Sequence, residues 1–259
     1  MNPDVLLERD GDIATLTLSN PERLNALSLA MWERLGALAG ELDADPSLRC
    51  IVVRGAGEKA FAAGADIASF STERANARQA KEYGTRIAAA MRRVAECRHP
   101  IVALIQGACV GGGLLVATQC DLRVCGESAR FGVPVKNLGL VEAYDELHGM
   151  MKVVSRAHSL EILLEGRIWG AREAYEKGLV NRIVADDKVV DEAYATARRI
   201  AEGAPLAARW HKKFINRLAN PAPLSAQERD ESYACFDTAD FKEGVSAFLA
   251  KRKPRFEGK

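Results

Sequence analysis

Two stretches of the chain could do chemistry through their backbone. Phe61-Ala62-Ala63-Gly64-Ala65-Asp66 is built almost wholly from small residues, so a ligand could approach its main chain closely. Gly111-Gly112-Gly113 sits where an apolar, strand-like run, Ile101 to Gln106, gives way to the helix-like run Leu114 to Cys120. Amides at a helix start have no partner within the helix and carry partial positive charge. One N–H from each stretch, aimed at a common point, would stabilise a developing oxyanion, each donor contributing about 3 kcal/mol in the transition state. A triple glycine alone is equally well explained as a tight turn. It matches neither the dinucleotide fingerprint nor a phosphate-binding loop.

The elements that must hold these stretches are legible from periodicity. Ile13 to Leu18 and Arg49 to Arg54 read as strands. Between them Ser28 offers an N-cap, and Met31, Leu35, Leu38 and Leu42 recur at helical spacing until Asp45-Pro46. A polar, Ala-rich helix is predicted from Glu73 to Cys97, and further strands at Leu122 to Val124 and Leu179 to Val184. Helices dominate from Ala143 onward, and after about residue 186 the chain reads as nearly all helical. A final amphipathic helix with no core left to cover would suit packing on another subunit.

Bulk properties exclude several classes. A chain of 259 residues with 48% apolar content can bury one large core. A formal charge of +1 supplies no field to attract nucleic acid or an anionic membrane. Six scattered cysteines without a C-x-x-C pair argue against a disulfide framework or a zinc site and for a reducing compartment. Met1 to Asp12 lacks the apolar core of a signal peptide, and no run is long enough to cross a bilayer. The expectation is a cytoplasmic protein.

The order of several motifs is more specific than any one of them. Asn20-Pro21-Glu22-Arg23-Leu24-Asn25-Ala26-Leu27, Ala63-Gly64-Ala65-Asp66, Gly111-Gly112-Gly113 and Cys120-Asp121-Leu122 follow one another. Ala129-Arg130-Phe131-Gly132, Gly178-Leu179-Val180-Asn181 and Ala247 to Pro254 complete the series. In that order and spacing the chain resembles the enoyl-CoA hydratase/isomerase (crotonase) family from about residue 10 to its end.

The resemblance implies an α/β fold: a crotonase-type spiral of ββα units over residues 1–186, then a C-terminal helical trimerisation region over 187–259. It implies an acyl-CoA thioester as substrate, coenzyme A entering as part of it, and no separate cofactor or metal. A homotrimer or dimer of trimers is implied, with no nucleic-acid or membrane partner. By position, the oxyanion donors would be the N–H groups of Ala65 and Gly112. Arg23, Ala26, Ala63 and Ile67 would line the coenzyme A channel. Lys212 and Lys251 match basic positions that can approach the nucleotide phosphates, though each reads equally well as a solvated surface lysine.

The chain departs from the hydratase pattern where chemistry is concerned. Family hydratases hold water with two glutamates, and the matching positions here are Leu115 and Val135, which cannot shuttle protons. The following stretch, Leu138 to His148, is polar and acidic where hydratases are small and glycine-rich. In the isomerase, dehalogenase and decarboxylase branches this stretch can supply catalytic side chains. Glu142 is the leading candidate, with Asp145 next; a helix here would put Glu142, Asp145 and Glu146 on one face. Clustered carboxyls beside an apolar pocket would raise one pKa, while acidic residues in a first turn are favoured by the helix dipole whatever the function.

Enoyl-CoA hydration or isomerisation in fatty-acid or aromatic-acid catabolism is the leading expectation. Acyl-CoA decarboxylation or thioester hydrolysis is the alternative. Asn137-Leu138-Gly139 and Lys251 to Phe256 resemble the methylmalonyl-CoA decarboxylase branch, which however has a His where this chain has Ala65. A non-catalytic member binding acyl-CoA or RNA is the remaining class, with only the short Trp210-His211-Lys212-Lys213 to suggest RNA. Of the other polar candidates, Tyr144 and His148 read as packing residues, and His158 and His211 as surface.

Overall fold

A computed structural model describes residues 3–259. Its chain opens with β1 (Asp4–Asp10), which turns at Gly11 and Asp12 and returns antiparallel as β2 (Ile13–Ser19), with Asp10 opposite Ile13 and Asp4 opposite Ser19. β1 was not expected from the sequence. It is an edge strand with only Val5 fully buried, so it shows no apolar alternation.

After β2 and its helix the chain repeats one pattern three times: a long strand, a short strand, then helix. The long strands β3 (Cys50–Gly55), β5 (Ile101–Ile105), β7 (Leu122–Gly126) and β10 (Arg182–Val184) join β1 and β2 in a six-stranded sheet of order β1-β2-β3-β5-β7-β10. Every pairing in it after the first hairpin is parallel. The short strands β4 (Ala60–Ala62), β6 (Ala108–Val110), β8 (Arg130–Gly132) and β9 (Trp169–Gly170) form a second sheet in that order. This is the spiral of ββα units. Because successive long strands are neighbours, so are successive short strands, and so are the loops that leave them.

Helices cover both faces of the larger sheet. α1 (Leu29–Ala44) starts at Ser28, whose side chain accepts from the Met31 N–H, and buries Met31, Trp32, Leu35, Leu38 and Leu42. The Ala-rich helix expected from Glu73 to Cys97 divides into a single turn, α2 (Phe70–Glu73), and α3 (Ala77–Glu96), because Asn76 caps the second helix through Gln79 N–H. α1 and α3 pack with α4 (Gly112–Gln119) around the main core, whose largest buried side chains include Trp32, Phe61, Phe131 and Trp169. α5 (Tyr144–Val153), α6 (Arg156–Glu165) and α7 (Ala171–Glu176) flank it.

On the opposite face α8 (Val189–Ala201) lays Val189, Ala193 and Ala197 on Cys50, Val52, Val102 and Leu104. The helical stretch expected to serve subunit association therefore begins with a helix that serves this chain's own core. Beyond it come α9 (Pro205–Leu218), α10 (Ala226–Glu231) and α11 (Ala239–Leu249), and α9 and α11 flank an apolar cleft of about 460 Å³, lined in part by Trp210, Phe241, Val245, Phe248 and Phe256. Phe248 and Leu249 stand out into solvent. Arg49 ties the C-terminal segment back, donating to the carbonyls of Ala201 and Phe256. No described helix is long and apolar enough to cross a membrane.

Candidate functional site

The loop after β4 is fixed from below. Leu27 N–H donates to Gly64 O (2.8 Å) and Asp66 N–H to Leu27 O (3.1 Å), which makes Leu27 and Ala65 a parallel bridge. Such a bridge uses the amides on either side of Ala65, so Ala65's own N–H points away from Leu27. It meets no acceptor among the described residues. Two buried asparagines hold the partner segment: Asn20 Nδ2 donates to Ala26 O, and Asn25 Nδ2 donates to Ala56 O and Ala60 O. Sequence reading gave these asparagines no role, since their partners lie up to 35 residues away.

The loop after β6 arrives alongside. Gly111 adopts φ +51° as the N-cap of α4 and anchors itself through its N–H to Gly132 O (2.8 Å). Gly112 is then the first helical residue, its N–H unclaimed by the helix and without an acceptor among the described residues. A Cβ at Gly112 would lie 3.5 Å from the Ala65 nitrogen and 3.1 Å from Trp32 Cζ2. One at Gly113 would lie 2.2 Å from Ala62 O. Close approach of the two loops thus demands glycine at 113, leaves room for a methyl at 112 only in tight contact, and brings the free amides of Ala65 and Gly112 near each other. Two preorganised donors at a helix start, next to a buried aromatic wall, are suited to bind an oxyanion.

Around these donors the structure gathers most of the channel residues singled out from the sequence. Ala63 N–H donates to Leu24 O (3.0 Å), bringing Ala63 against the turn that carries Arg23 and Ala26. Arg23 Nη1 contacts both carboxylate oxygens of Asp66, at 2.6 and 2.7 Å, and exposed Ile67 follows. Lys212 is placed elsewhere. Its Nζ donates to Asp121 Oδ2 (2.8 Å) and His99 O (3.0 Å), and its side chain is only 8% exposed. Asp121 and His99 lie at the N-terminal ends of β7 and β5, whereas the Ala65 and Gly112 loops follow the C-terminal ends of β4 and β6, so within one protomer Lys212 is a structural cation. Lys251 lies exposed just past α11, at φ +51°.

Both positions matching the hydratase glutamates are apolar packing sites: Leu115 is buried in α4, and Val135, in a 3₁₀ turn at Pro134–Leu138, packs against the main core. The acidic stretch follows. Glu142 is not helical, because Gly139 at φ +67° ends that turn and α5 starts only at Tyr144. The expected common helical face of Glu142, Asp145 and Glu146 is therefore absent. Asp145, like Tyr144 and His148, is exposed.

Glu142 and Glu146 nevertheless meet. Glu146 accepts from the Ala143 N–H at the start of α5, which turns its carboxylate back toward Glu142. Glu142 is half-buried, and burial, followed by the hydrogen bond and negative charge of Glu146, pushes its pKa up to about 8 against the opposing pull of Arg74. The Arg74 guanidinium carbon stands 3.7 Å from the Tyr83 ring centroid and 4.3 Å from that of Phe70. Arg74 ends the turn that begins just after Ala65, and α5 packs along α4, the helix that Gly112 opens. Glu142 thus feels the charge of Arg74 and directly precedes the helix that packs on α4. Sequence reading missed Arg74, because its partners come from three separate elements and no local spacing announces it.

One histidine differs from expectation. His158 is half-buried, edge-on to Trp169 at 6.4 Å, and not a surface residue. His99, on which no role was placed, is completely buried with neither ring nitrogen partnered. Among the described residues no group of three or more His, Cys, Asp or Glu side chains is arranged to hold a metal ion.

Comparison with known proteins agrees with this geometry. The family model described as enoyl-CoA hydratase/isomerase matches residues 8–259. A solved structure of an enoyl-CoA hydratase/carnithine racemase from Magnetospirillum magneticum superposes with a TM-score of 0.98 at 51% identity, covering 100% of this chain and 97% of that one. The crotonyl-CoA hydratase of Syntrophomonas wolfei is 30% identical over 258 residues, 99% of this chain and 98% of its own. The short-chain-enoyl-CoA hydratase of Clostridium acetobutylicum is 31% identical over 252 residues, 96% of each chain. With the ββα spiral in place and the family model matched over nearly its whole length, the chain belongs to the enoyl-CoA hydratase/isomerase family, whose members are enzymes acting on acyl-CoA thioesters.

Proposed function

We propose that this protein moves the double bond of an enoyl-CoA by proton transfer, in fatty-acid or aromatic-acid catabolism. The thioester carbonyl oxygen accepts hydrogen bonds from the Ala65 and Gly112 N–H groups, and Glu142 carries the proton. On a 3-enoyl-CoA, Glu142 takes a proton from C2. The C–H electron pair enters the C1–C2 bond as the carbonyl pair moves onto oxygen. When the oxyanion collapses, the pair shifts to form C2=C3, the C3=C4 pair takes the proton back at C4, and Glu142 is restored. The net change is isomerisation, with no water added. Arg23, Ala26, Ala63 and Ile67 line the entry for the coenzyme A moiety.

The observation that carries this reading is the presence, with two free amides, of one carboxyl whose pKa is raised to about 8, while Leu115 and Val135 cannot supply the two carboxylates with which hydratases activate water. A base with a pKa near the working pH transfers protons most effectively. Incubation with 3-enoyl-CoA and, separately, crotonyl-CoA tests it: new enoyl-thioester absorbance from the first without water addition to the second is the expected result. Hydration of crotonyl-CoA at a comparable rate overturns it.

A second reading rests on the same raised pKa. A carboxyl still protonated near neutrality could deliver its proton to C2 after a carboxylated acyl group loses CO2, its C–C pair having passed into the enolate. Release of CO2 from a carboxyacyl-CoA would favour that reaction. We further assign α9–α11 to subunit association in a homotrimer or dimer of trimers, which their apolar cleft and exposed Phe248 and Leu249 support; light scattering tests it. A reducing cytoplasm suits six cysteines that are all free.

A further inference from the structure

The two free amides belong to different loops, and the start of α1 touches both of them. Leu27, the residue just before the helix cap, forms the backbone bridge to Ala65. Ser28 then caps the helix, and its carbonyl accepts from the Trp32 N–H (3.1 Å). The Trp32 side chain, only 1% exposed, reaches the other loop. A Cβ at Gly112 would stand 3.1 Å from Trp32 Cζ2 and 3.5 Å from the Ala65 nitrogen. Gly112 has no side chain of its own to pack, so the indole edge limits where its backbone can sit on that side. The bond from Gly111 N–H to Gly132 O anchors the residue before it. We infer that Trp32 is a positioning residue of the oxyanion site, which holds the Gly112 amide in place relative to Ala65.

What the indole contributes is shape. Trp32 Nε1 is buried and finds no acceptor among the described residues. Burying a donor without a partner costs about 1–3 kcal/mol, a cost that Phe or Leu at this position would not carry. The atom that meets Gly112, Cζ2, belongs to the benzo ring, which extends beyond the reach of either smaller side chain. The support behind the ring is firm, because α1 also buries Met31, Leu35 and Leu38 in the main core. A packed interior yields little, and a reacting group misplaced by about 1 Å loses about 10²-fold in rate. One helix start thus sets both donors, Ala65 through the backbone of Leu27 and Gly112 through the side chain of Trp32.

This inference rests on the oxyanion part of the reaction proposed above and not on its proton carrier. The test binds saturating crotonyl-CoA, isotope-labelled at the thioester carbonyl, to the full-length protein. Isotope-edited infrared difference spectra then read the C=O stretch. In the wild-type protein the band should move to lower frequency on binding, as two hydrogen bonds draw charge onto the oxygen. In Trp32→Phe that downshift should shrink. For 3-enoyl-CoA, kcat should fall about 10-fold or more in this variant while KM changes less than about two-fold. A fluorotryptophan at position 32, with fluorine on Cζ2, keeps the core filled and gives the answer where Trp32→Phe folds poorly. Its added atom presses on Gly112 and should also weaken the downshift. A residue that served the core alone would change the melting temperature and leave the carbonyl band in place. A full wild-type downshift in both variants therefore overturns the role of Trp32 and leaves the oxyanion site standing. No downshift in the wild-type protein removes the oxyanion reading itself, and this inference with it.

Discussion

Ala65 and Gly112, 47 positions apart in the chain (112 − 65), are so close that a methyl group on Gly112 would stand 3.5 Å from the Ala65 nitrogen. That methyl would occupy the space an oxyanion needs. Gly112→Ala should therefore lower kcat by about 10²-fold or more while the melting temperature stays close to wild type. Gly113→Ala provides the contrast. Its added carbon would meet Ala62 O at 2.2 Å, so the main effect should be on folding, seen in circular-dichroism melts.

Glu142→Gln should reduce turnover by about 10²–10⁴-fold and leave thioester binding nearly intact. Isothermal titration with a non-reactive acyl-CoA separates the two. In the wild-type protein the raised pKa of Glu142 means that the folded chain holds a proton the unfolded chain has lost. Stability from this group is full below the ordinary value of 4.5 and falls as pH rises towards about 8. Glu142→Gln should accordingly gain in melting temperature relative to wild type between pH 5 and pH 8, and an unchanged gap would contradict the burial argument.

His99 works with the opposite sign. Burial, then the positive charges of Arg209 and Arg98, lowers its pKa from 6.5 to about 4, so it stays neutral in the fold where the unfolded chain takes up a proton. The protein should lose stability as pH falls from 6.5 towards 4. His99→Leu should flatten that part of the stability curve in denaturant titrations, whatever its effect on absolute stability.

Lys212→Met should cost about 1–3 kcal/mol, because it strips Asp121 of its cation while Ile101 N–H remains its other donor at 2.7 Å. KM for the acyl-CoA should not change if the lysine serves only its own protomer's sheet edge. A several-fold rise in KM with unchanged stability would instead place it on the substrate, across a subunit boundary.

The parts of this architecture visible in the sequence were those specified locally. Ser28 and the Met31–Leu42 spacing marked α1, and the small-residue loops marked where two backbones approach closely and leave the Ala65 and Gly112 amides without acceptors among the described residues, because such an approach restricts residue type. Asp4–Asp10 was silent because an edge strand exposed on most of its length has no pattern to show. Glu142 was found as a residue but misplaced as an element: Gly139 delays the helix, and the carboxyl meets Glu146 through a turn and not along a helical face. Lys212 gave no hint in the sequence that, within one protomer, its charge is taken up by Asp121 and the His99 carbonyl. Arg74 left no signal and Asn25 only its place in a motif, since each matters chiefly through partners that the tertiary fold supplies.

One irregularity in the smaller sheet governs more than its size suggests. Ala60 pairs with Ala108 but Ala62 pairs with Cys109, so β4 spends two residues where β6 spends one. Removing one residue from this bulge would draw the loop that follows β4 back by one position along β6, while the bridge from Leu27 still holds Ala65. Residue count in this strand, and not the identity of any side chain, thus sets where the two free amides come together.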